Sequence, residues 1–154
     1  MIDPTVRRAE PDNGDDLDSL RLLEVEAREA LIGQRGGERW LVEHPAIEDR
    51  WTTRCRESDV HVAVIDDVVV GYLVADLGDD HVLRIDQVWV SPEAREVGFG
   101  DALLAEAIDA ARQRGAKAVE GQALPGDRHT KNLYERAAIT AQRIIVSAPI
   151  ARID

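Results

Sequence analysis

Hydrophobic positions near the start of the chain recur at helical spacing. They are leucines with alanines among them: Leu17, Leu20, Leu23, Ala27, Ala30 and Leu31. This period predicts an amphipathic helix. Asp15 and Asp16 stand just before the stripe, where a carboxylate can accept hydrogen bonds from the first free amides of a helix. Upstream, Val6 opens a short strand that the breaker residues 11–14 terminate.

A glycine-containing junction at residues 32–37 follows this helix, and a second helix is predicted over about residues 45–57. The period then changes to two residues, which is typical of strands. The predicted strands comprise residues 61–65, 68–74 and 82–90. Because the turns at 66–67 and 78–80 are short, these three strands are expected to form an antiparallel meander.

The second half of the chain alternates helix and strand. A stripe of leucine, isoleucine and alanine predicts a helix over about residues 98–114, and Gly115 is a natural stop for it. The remaining predicted elements are a strand at 118–124, a helix from Asp127 to about 137 and a strand region at 139–150. This order predicts a mixed α/β fold with a parallel crossover near its middle.

Length and charge narrow the classes of function. The chain has 154 residues, the length of one domain, so residues 1–154 are expected to form a single domain. It carries 19 Lys and Arg against 30 Asp and Glu, a formal net charge of −11. Nucleic acids and anionic membranes are therefore disfavoured as partners. The acidity favours cationic partners mildly, or serves solubility alone.

Cysteine and histidine counts exclude common kinds of stabilised site. The single cysteine, Cys55, allows no disulfide within the chain and indicates a reducing compartment. The four histidines lack metal-ligand spacing, so no metal is expected. The longest apolar stretch, residues 68–75, is much too short to span a bilayer. Together with an N-terminus that lacks the apolar core of a signal peptide, this predicts a cytoplasmic protein.

Chemistry is concentrated in residues 88–100, where a buried strand runs into a turn with Gly98 and Gly100 before a helix. Glycine lets the backbone approach a ligand closely. The free amides of a helix start, with the helix dipole behind them, can bind phosphate. The segment is neither a Walker loop nor a dinucleotide fingerprint, because no Gly-Lys-Ser/Thr follows and position 103 is leucine. On the glycines alone, an anion site and an ordinary turn fit equally well.

The sequence Arg95-x-x-Gly98-x-Gly100 resembles the acyl-CoA signature of the GNAT superfamily of N-acetyltransferases. Residues 132–136, Asn-Leu-Tyr-Glu-Arg, are similar to the late helix of that family. The order of elements over residues 5–150 also resembles the family. The resemblance implies a central, mostly antiparallel sheet with a parallel splayed strand pair, flanked by about four helices.

The resemblance also implies acetyl-CoA as co-substrate and a set of residues that bind it. The loop after the fourth strand would hold its pyrophosphate through the backbone amides of Glu96, Val97, Gly98, Phe99, Gly100 and Asp101, and Arg95 of the same motif belongs to the cofactor-binding set. The pantetheine arm would pair with the backbone of Val88 and Val90, where the fourth and fifth strands splay apart. Arg128 and Asn132 would contact the coenzyme A arm or its phosphates.

For catalysis, the resemblance implies direct attack of an amine on the thioester. The amide of Val88 would stabilise the oxyanion, and Tyr134 would protonate the departing thiolate as general acid. Asp86 is a candidate general base acting through water, in competition with Asp76 and Glu93. The alternatives are a core tyrosine for Tyr134 and an ion-paired carboxylate for Asp86.

The acceptor side is less defined. Trp40 and Trp51 flank the segment that forms the acceptor wall in GNAT proteins, so each lines a substrate pocket or anchors the second helix. The chain departs from the family at Glu96 and Val97, where basic residues or glycine are common. It departs again at 138–139, where Ala-Ile replaces the usual Gly-Phe.

The leading hypothesis is an N-acetyltransferase acting on an amine of a small molecule, a peptide or a protein. Alternatives are an acyl-CoA sensor without turnover and a subunit that uses the fold for assembly alone. The apolar residues 142–146 are expected at a sheet edge. Because partner chains often cover such edges, a homodimer is expected.

Overall fold

The computed structural model describes residues 5–153 and places five strands in one sheet. The strands are β1 Thr5–Arg8, β2 Asp59–Ile65, β3 Val68–Leu77, β4 Val82–Val90 and β5 Ala118–Glu120. The helices are α1 Gly14–Glu29, α2 Gly37–Glu43, α3 Trp51–Glu57, α4 Phe99–Gln113 and α5 Arg128–Arg136. Short 3₁₀ turns occupy Pro92–Ala94 and Ile150–Arg152. Within residues 5–153, no helix is long and apolar enough to cross a membrane.

The sheet has the strand order β1-β2-β3-β4-β5. Its first four strands are antiparallel, and β5 pairs with β4 in parallel after the crossover through α4. Asp66 and Asp67 form the β2–β3 turn with φ angles of 49° and 63°. Two consecutive left-handed residues match the twist of a two-residue hairpin. The predicted meander and mixed α/β fold are confirmed.

Both faces of the sheet are covered. One buried cluster lies between the sheet and the helices α4 and α5, with Leu73, Leu83, Phe99, Leu103 and Leu133 among its members. The other lies against α1 and α3, with Leu20, Trp51, Val60, Tyr72 and Val74 among its members. Since the alternate side chains of β2 and β3 point to opposite faces, these strands contribute to both clusters.

The sheet opens beyond the first residues of β4. Strand β4 pairs with β5 only from Val82 to Arg84, opposite Ala118–Glu120. On its other side, the register with β3 shifts so that Asp86 is an extra residue between Ile85 and Gln87. A bulge of this kind bends a strand and increases its twist. The rest of β4, residues 85–90, therefore has an unpaired side, which we call the open edge.

The predicted helix over 45–57 is wrong in its first half. Helix α3 begins only at Trp51, and a separate helix, α2, occupies Gly37–Glu43 in and after the predicted junction. The amides of Ile47 and Glu48 donate to the buried carboxylate of Glu24 instead of to helical carbonyls. This tertiary contact holds the segment before α3 out of a helix, and the sheet is flanked by five helices instead of about four.

The predicted strand at 139–150 is also absent: residues 139–149 have no regular secondary structure. The apolar Ile144 and Val146 are 80% and 89% exposed. A β-branched sequence becomes a strand only when a neighbouring strand and a packed face are available. Within residues 5–153, this segment pairs with no strand of the sheet, and residues 141–153 are exposed, so it has neither.

The expected cap of α1 differs as well. Asn13, not Asp15 or Asp16, caps the helix, and its side chain accepts hydrogen bonds from both of their amides. Asp16 is buried instead and receives two hydrogen bonds of 2.7 Å from Arg7. This ion pair lowers the pKa of Asp16 and ties β1 to α1.

Candidate active site

A cleft of about 160 Å³ lies where β4 and β5 separate. Its walls are the end of α1, helix α2, the open edge of β4, residues 122–124 after β5, and α5. A smaller pocket continues from it between β4 and α5 towards the start of α4, and shares Val88, Arg95 and Thr130 with the cleft. Together they form a channel from α2 to α4.

The open edge presents backbone groups to this channel. The amide of Ser91 donates to Val70 of β3 at 2.8 Å, which fixes the orientation of β4. Because backbone groups alternate along a strand, Val88 and Val90 face the opposite, unpaired side. The Nε of Arg95 already donates to the carbonyl of Val90 at 2.9 Å. The expected pairing of a ligand arm with Val90 is thus limited to its amide, whereas Val88 faces the channel.

The guanidinium of Arg95 lies over the ring of Trp89, 4.5 Å from its centroid. This contact and the bond to Val90 hold Arg95 between the open edge and the start of α4. A stacked arginine keeps its outer N–H groups available to an anion. The structure therefore places Arg95 at the junction of the cleft and the smaller pocket.

The start of α4 offers a row of free amides. Within residues 5–153, the six amides of residues 96–101 donate no hydrogen bond, and we call this row the amide cradle. Glu96 and Gly98 have left-handed φ angles of 68° and 90°, which curve the backbone of the amide cradle. The first-turn amides of a helix and its dipole favour an anion.

The acidic residues of this loop interfere little with that role. Glu96 is exposed. Asp101 is exposed too, and its carboxylate accepts a hydrogen bond from Arg136 of α5 at 2.9 Å. A paired and solvated carboxylate exerts a screened repulsion on a neighbouring anion.

Helix α5 positions Tyr134 at the other end of the channel. Asp127 caps the helix by accepting hydrogen bonds from the amide and hydroxyl of Thr130. Leu133 packs in the core, and Tyr134, 7% exposed, points to the gap between β4 and β5. Burial raises the pKa of Tyr134, and the negative charge of Asp127 adds to the effect. Within residues 5–153, its hydroxyl makes no hydrogen bond, so the protonated phenol is available to a ligand.

Of the three carboxylates considered as base, Asp86 alone lines the cleft within the described chain. It sits at the β4 bulge, where Oδ2 accepts a hydrogen bond from Arg54 at 2.9 Å. Nε2 of His44 is 3.9 Å from its other oxygen. Asp76 instead accepts a hydrogen bond from Ser58, and Glu93 is exposed on the 3₁₀ turn.

The two tryptophans have different surroundings. Trp40 of α2 lines the cleft and stacks on His44 with ring centroids 4.2 Å apart. Trp51 is only 2% exposed and packs edge-on against Tyr72 in the core. Of the two alternatives, the geometry places Trp40 at the cleft and Trp51 in the core, where it anchors α3 and does not reach the cleft.

Arg128 and Asn132 are placed differently from the expectation. Both are exposed on α5 and line neither the cleft nor the smaller pocket. The residues of α5 that line the channel are His129, Thr130, Leu133 and Tyr134, which lie on one side of the helix. The helical period separates them from Arg128 and Asn132.

A buried polar network behind the cleft was not predicted. Besides the two amides near α3, the carboxylate of Glu24 accepts a hydrogen bond from Gln87 at 3.0 Å, and Gln87 accepts one from the hydroxyl of Tyr72 at 2.7 Å. Glu24 falls four residues after Leu20 on the buried stripe of α1, so helical spacing could have revealed it. Gln87 follows the bulge, which no local sequence pattern marks.

Side-chain hydrogen bonds also join α1 to α2 and to β4 beside the cleft. Arg28 donates to the carbonyls of Leu41 and His44 and so fixes α2. Glu26 accepts hydrogen bonds from the indole of Trp89 and the hydroxyl of Ser91. The cleft is therefore walled by elements that side-chain hydrogen bonds join to one another.

A model of the acetyltransferase (GNAT) family matches residues 19–138 of the chain. No protein among the curated ones matches. Solved structures similar to the chain include the PaiA N-acetyltransferase of Thermoplasma acidophilum in complex with coenzyme A. It is 16% identical, with a TM-score of 0.69 over 88% of this chain and 89% of that one.

Two other structures are similar over nearly the whole chain. A mutant protein of Bacillus halodurans is 18% identical, with a TM-score of 0.76 over 94% of this chain and 98% of its own. A ribosomal-protein-alanine N-acetyltransferase of Brucella melitensis is 19% identical, with a TM-score of 0.68 over 96% and 99%. At such low identity these likenesses show a shared fold.

Proposed function

Since the chain belongs to the acetyltransferase (GNAT) family, we propose that it moves the acetyl group of acetyl-CoA to a primary amine of a small molecule, a peptide or a protein. The observation that carries this proposal is the channel. It joins the free amide cradle at residues 96–101 to the unbonded hydroxyl of Tyr134 along the open edge of β4.

The proposed binding of acetyl-CoA follows this channel. The pyrophosphate lies at the amide cradle, with Arg95 beside it. The pantetheine arm adds to the open edge at Val88 and at the amide of Val90. The thioester then lies near Tyr134. The structurally similar Thermoplasma protein is in complex with coenzyme A, which supports a coenzyme A thioester as the ligand.

The proposed reaction is direct acyl transfer. The amine nitrogen forms a bond to the thioester carbonyl carbon, the C–S bond breaks, and the thiolate accepts the proton of Tyr134. The acylated nitrogen then loses its remaining extra proton, through water, to the Tyr134 phenolate, which restores the phenol. The amide of Val88 stabilises the oxyanion between these steps. Because an amine with a pKa near 10.4 is mostly protonated at neutral pH, it first loses a proton, through water, to Asp86.

The acceptor amine is proposed to enter between α2 and β4. Trp40 offers an aromatic face and Asp86 a carboxylate on that side of the cleft. Both suit an amine nitrogen, and the net charge of −11 favours the approach of cations. Similar structures include an aminoglycoside acetyltransferase in complex with sisomicin and the ribosomal-protein-alanine N-acetyltransferase, so both small and protein amines belong in a screen.

A second candidate is an acyl-CoA sensor without turnover. It is favoured by the ion pair of Asp86 with Arg54, at 2.9 Å, which competes with proton transfer from an amine. The sensor would bind acetyl-CoA through the same amide cradle. Release of free thiol with a panel of amines separates the two candidates.

The test of the binding site compares two glycines at the ends of α4. Gly98 and Gly115 both have a φ of 90°, so alanine strains each similarly. Only Gly98 lies in the amide cradle. We expect Gly98→Ala to weaken acetyl-CoA binding, measured by calorimetry, at least tenfold, and Gly115→Ala to leave it unchanged. Equal affinity of both variants would contradict the site, and thiol release by no amine would contradict the transferase.

We also propose the domain organisation, the location and the oligomeric state of the protein. Residues 1–154 form one domain, supported by a single sheet that carries both core clusters. The cytoplasm is the proposed location, supported by the free, buried Cys55. A homodimer is proposed because the exposed apolar residues 144–146 offer a second copy a surface to cover.

A further inference from the structure

Gly121 lies against Tyr134 more closely than any residue with a side chain could. A Cβ atom at Gly121 would be 2.4 Å from the hydroxyl oxygen of Tyr134 and 2.5 Å from the ring carbon that carries it. Both distances are about 1 Å shorter than a carbon contact at van der Waals separation. The phenol thus occupies the space that a side chain at position 121 would need.

The requirement for glycine here is close approach and not backbone conformation. Gly121 is not among the residues with left-handed φ, in contrast to Gly98 and Gly115. It directly follows β5, which ends at Glu120, so it borders the gap where β5 leaves β4. Alanine could adopt this backbone without a left-handed φ, and the three atoms nearest to its Cβ would all belong to Tyr134.

Tyr134 has little freedom to withdraw. Helix α5 is fixed by the Asp127 cap and by Leu133, which is 2% exposed in the core. The nearest free volume for the phenol is the cleft itself, which Tyr134 lines. A side chain at position 121 would therefore drive the ring from its seat into the cleft.

We propose that Gly121 is a positioning residue for acyl transfer. Because Gly121 has no side chain, the hydroxyl of Tyr134 can lie in the gap where β5 leaves the open edge of β4. Only the expected effect of Gly121 on turnover rests on the proposed function. The seating itself can be tested without any substrate.

The first measurement follows the phenols directly. The chain has two tyrosines, and Tyr72 is buried with its hydroxyl bonded to Gln87. Burial raises the pKa of Tyr134, so absorbance at 295 nm should show almost no ionised phenol up to pH 10.5 in the unaltered protein. In Gly121→Ala, the displaced ring reaches solvent, and one phenol should ionise near the ordinary pKa of about 10. Gly126→Ala is the matched control, because nothing lies within 4 Å of a Cβ there.

The second measurement is turnover. Gly121→Ala should lower kcat about 10- to 100-fold. In a Tyr134→Ala background, Gly121→Ala should lower kcat no further, because the phenol that it would displace is already absent. Gly126→Ala should keep the kcat of the unaltered protein.

The outcomes separate the two proposals. A Gly121→Ala variant with unchanged phenol titration and kcat overturns the inference. If that variant fails to fold, the double variant Gly121→Ala/Tyr134→Ala should fold with a melting temperature no lower than that of Tyr134→Ala. A double variant that also fails to fold overturns the inference. If no amine gives turnover, the proposed function fails, while the phenol titration still decides the role of Gly121.

Discussion

Tyr134 and Asp86 line the same cleft, but they differ in the hydrogen bonds that their side chains make. The hydroxyl of Tyr134 has no partner within residues 5–153, whereas the carboxylate of Asp86 is bound to Arg54 at 2.9 Å. A hydroxyl that lines a cleft without a protein partner is free to donate to a ligand. The unbonded hydroxyl is for this reason the stronger catalytic candidate of the two.

Removing this hydroxyl tests its role. Tyr134→Phe preserves the ring and its packing, so we expect kcat to fall about 10- to 100-fold, or roughly 1.4 to 2.7 kcal/mol of transition-state stabilisation. The dissociation constant of acetyl-CoA should stay within threefold. Steady-state kinetics beside a titration with acetyl-CoA measure both. An unchanged kcat would assign Tyr134 to the core alone.

His61 makes stability depend on pH. It is 3% exposed on β2, its Nδ1 has no partner among the described residues, and burial lowers its pKa below 6.5. Asp59, Arg8, Glu106 and Arg114 act on it electrostatically in both directions, but burial dominates. The histidine of the unfolded chain therefore binds a proton more readily than that of the folded chain. The contribution of His61 leaves the free energy of unfolding unchanged above pH 6.5 and lowers it as pH decreases below 6.5.

The corresponding variant is His61→Leu, which is of similar size and cannot be protonated. We expect its melting temperature to fall less than that of the unaltered protein between pH 7.5 and 5.5. His129, whose pKa burial also lowers, remains in both proteins and contributes equally. Parallel curves of melting temperature against pH would show that His61 takes no part.

Among the elements, the end of α5 keeps its form despite a change of residue. Ala138 stands where the related family usually has glycine, yet it adopts the left-handed φ of 62° that the turn requires. The amide of Ile139 donates to Tyr134 and that of Ala138 to Glu135, the hydrogen bonds of a Schellman cap. The cap is thus built in the usual way, and the strain falls on Ala138.

Glycine at this position should relieve that strain. We expect Ala138→Gly to raise the free energy of unfolding by about 0.5–1 kcal/mol, after subtraction of the entropy that glycine loses on folding. Ala137→Gly is the control, because its φ of −91° suits alanine and glycine there should be destabilising. Chemical denaturation of the three proteins measures the difference. A lower stability of Ala138→Gly would refute the expectation.

Elements defined by local pattern were predictable, and those defined by tertiary contact were not. Strand β4 was predicted over its actual residues, 82–90, because a turn and alternating β-branched residues mark it. The helix predicted over 45–57 was too long because Glu24 binds amides more than twenty residues away along the chain, just before α3. The strand expected at 139–150 had suitable residues but pairs with no strand among residues 5–153.

The same distinction holds at the site. The amide cradle follows from the spacing of Arg95, Gly98 and Gly100 within one turn, and the sequence alone located it. Gly121 became meaningful only when folding brought it within contact of Tyr134, thirteen positions later. Arg128 and Asn132 are exposed outside the channel, because one turn of helix decides which side chains of α5 reach it, and their contact with coenzyme A stays a prediction.

At the scale of the whole molecule, the exposed apolar residues near the C-terminus set the expected state of assembly. Light scattering at micromolar concentration should give twice the 17.0 kDa of one chain. The double variant Ile144→Asp/Val146→Asp should give the mass of a monomer, because both residues are highly exposed and charge there opposes burial. A monomeric mass of the unaltered protein would end the proposal.

The unpaired half of β4 also bears on how the molecule avoids aggregation. An exposed strand edge is a template on which any extended polypeptide can add, and proteins protect such edges with helices or loops. Here residues 122–124 and α5 wall the edge into a narrow cleft. Any chain that pairs with Val88 must therefore fit within this cleft of about 160 Å³, beside residues 122–124 and α5. The geometry that leaves the sheet incomplete thereby also limits what can complete it.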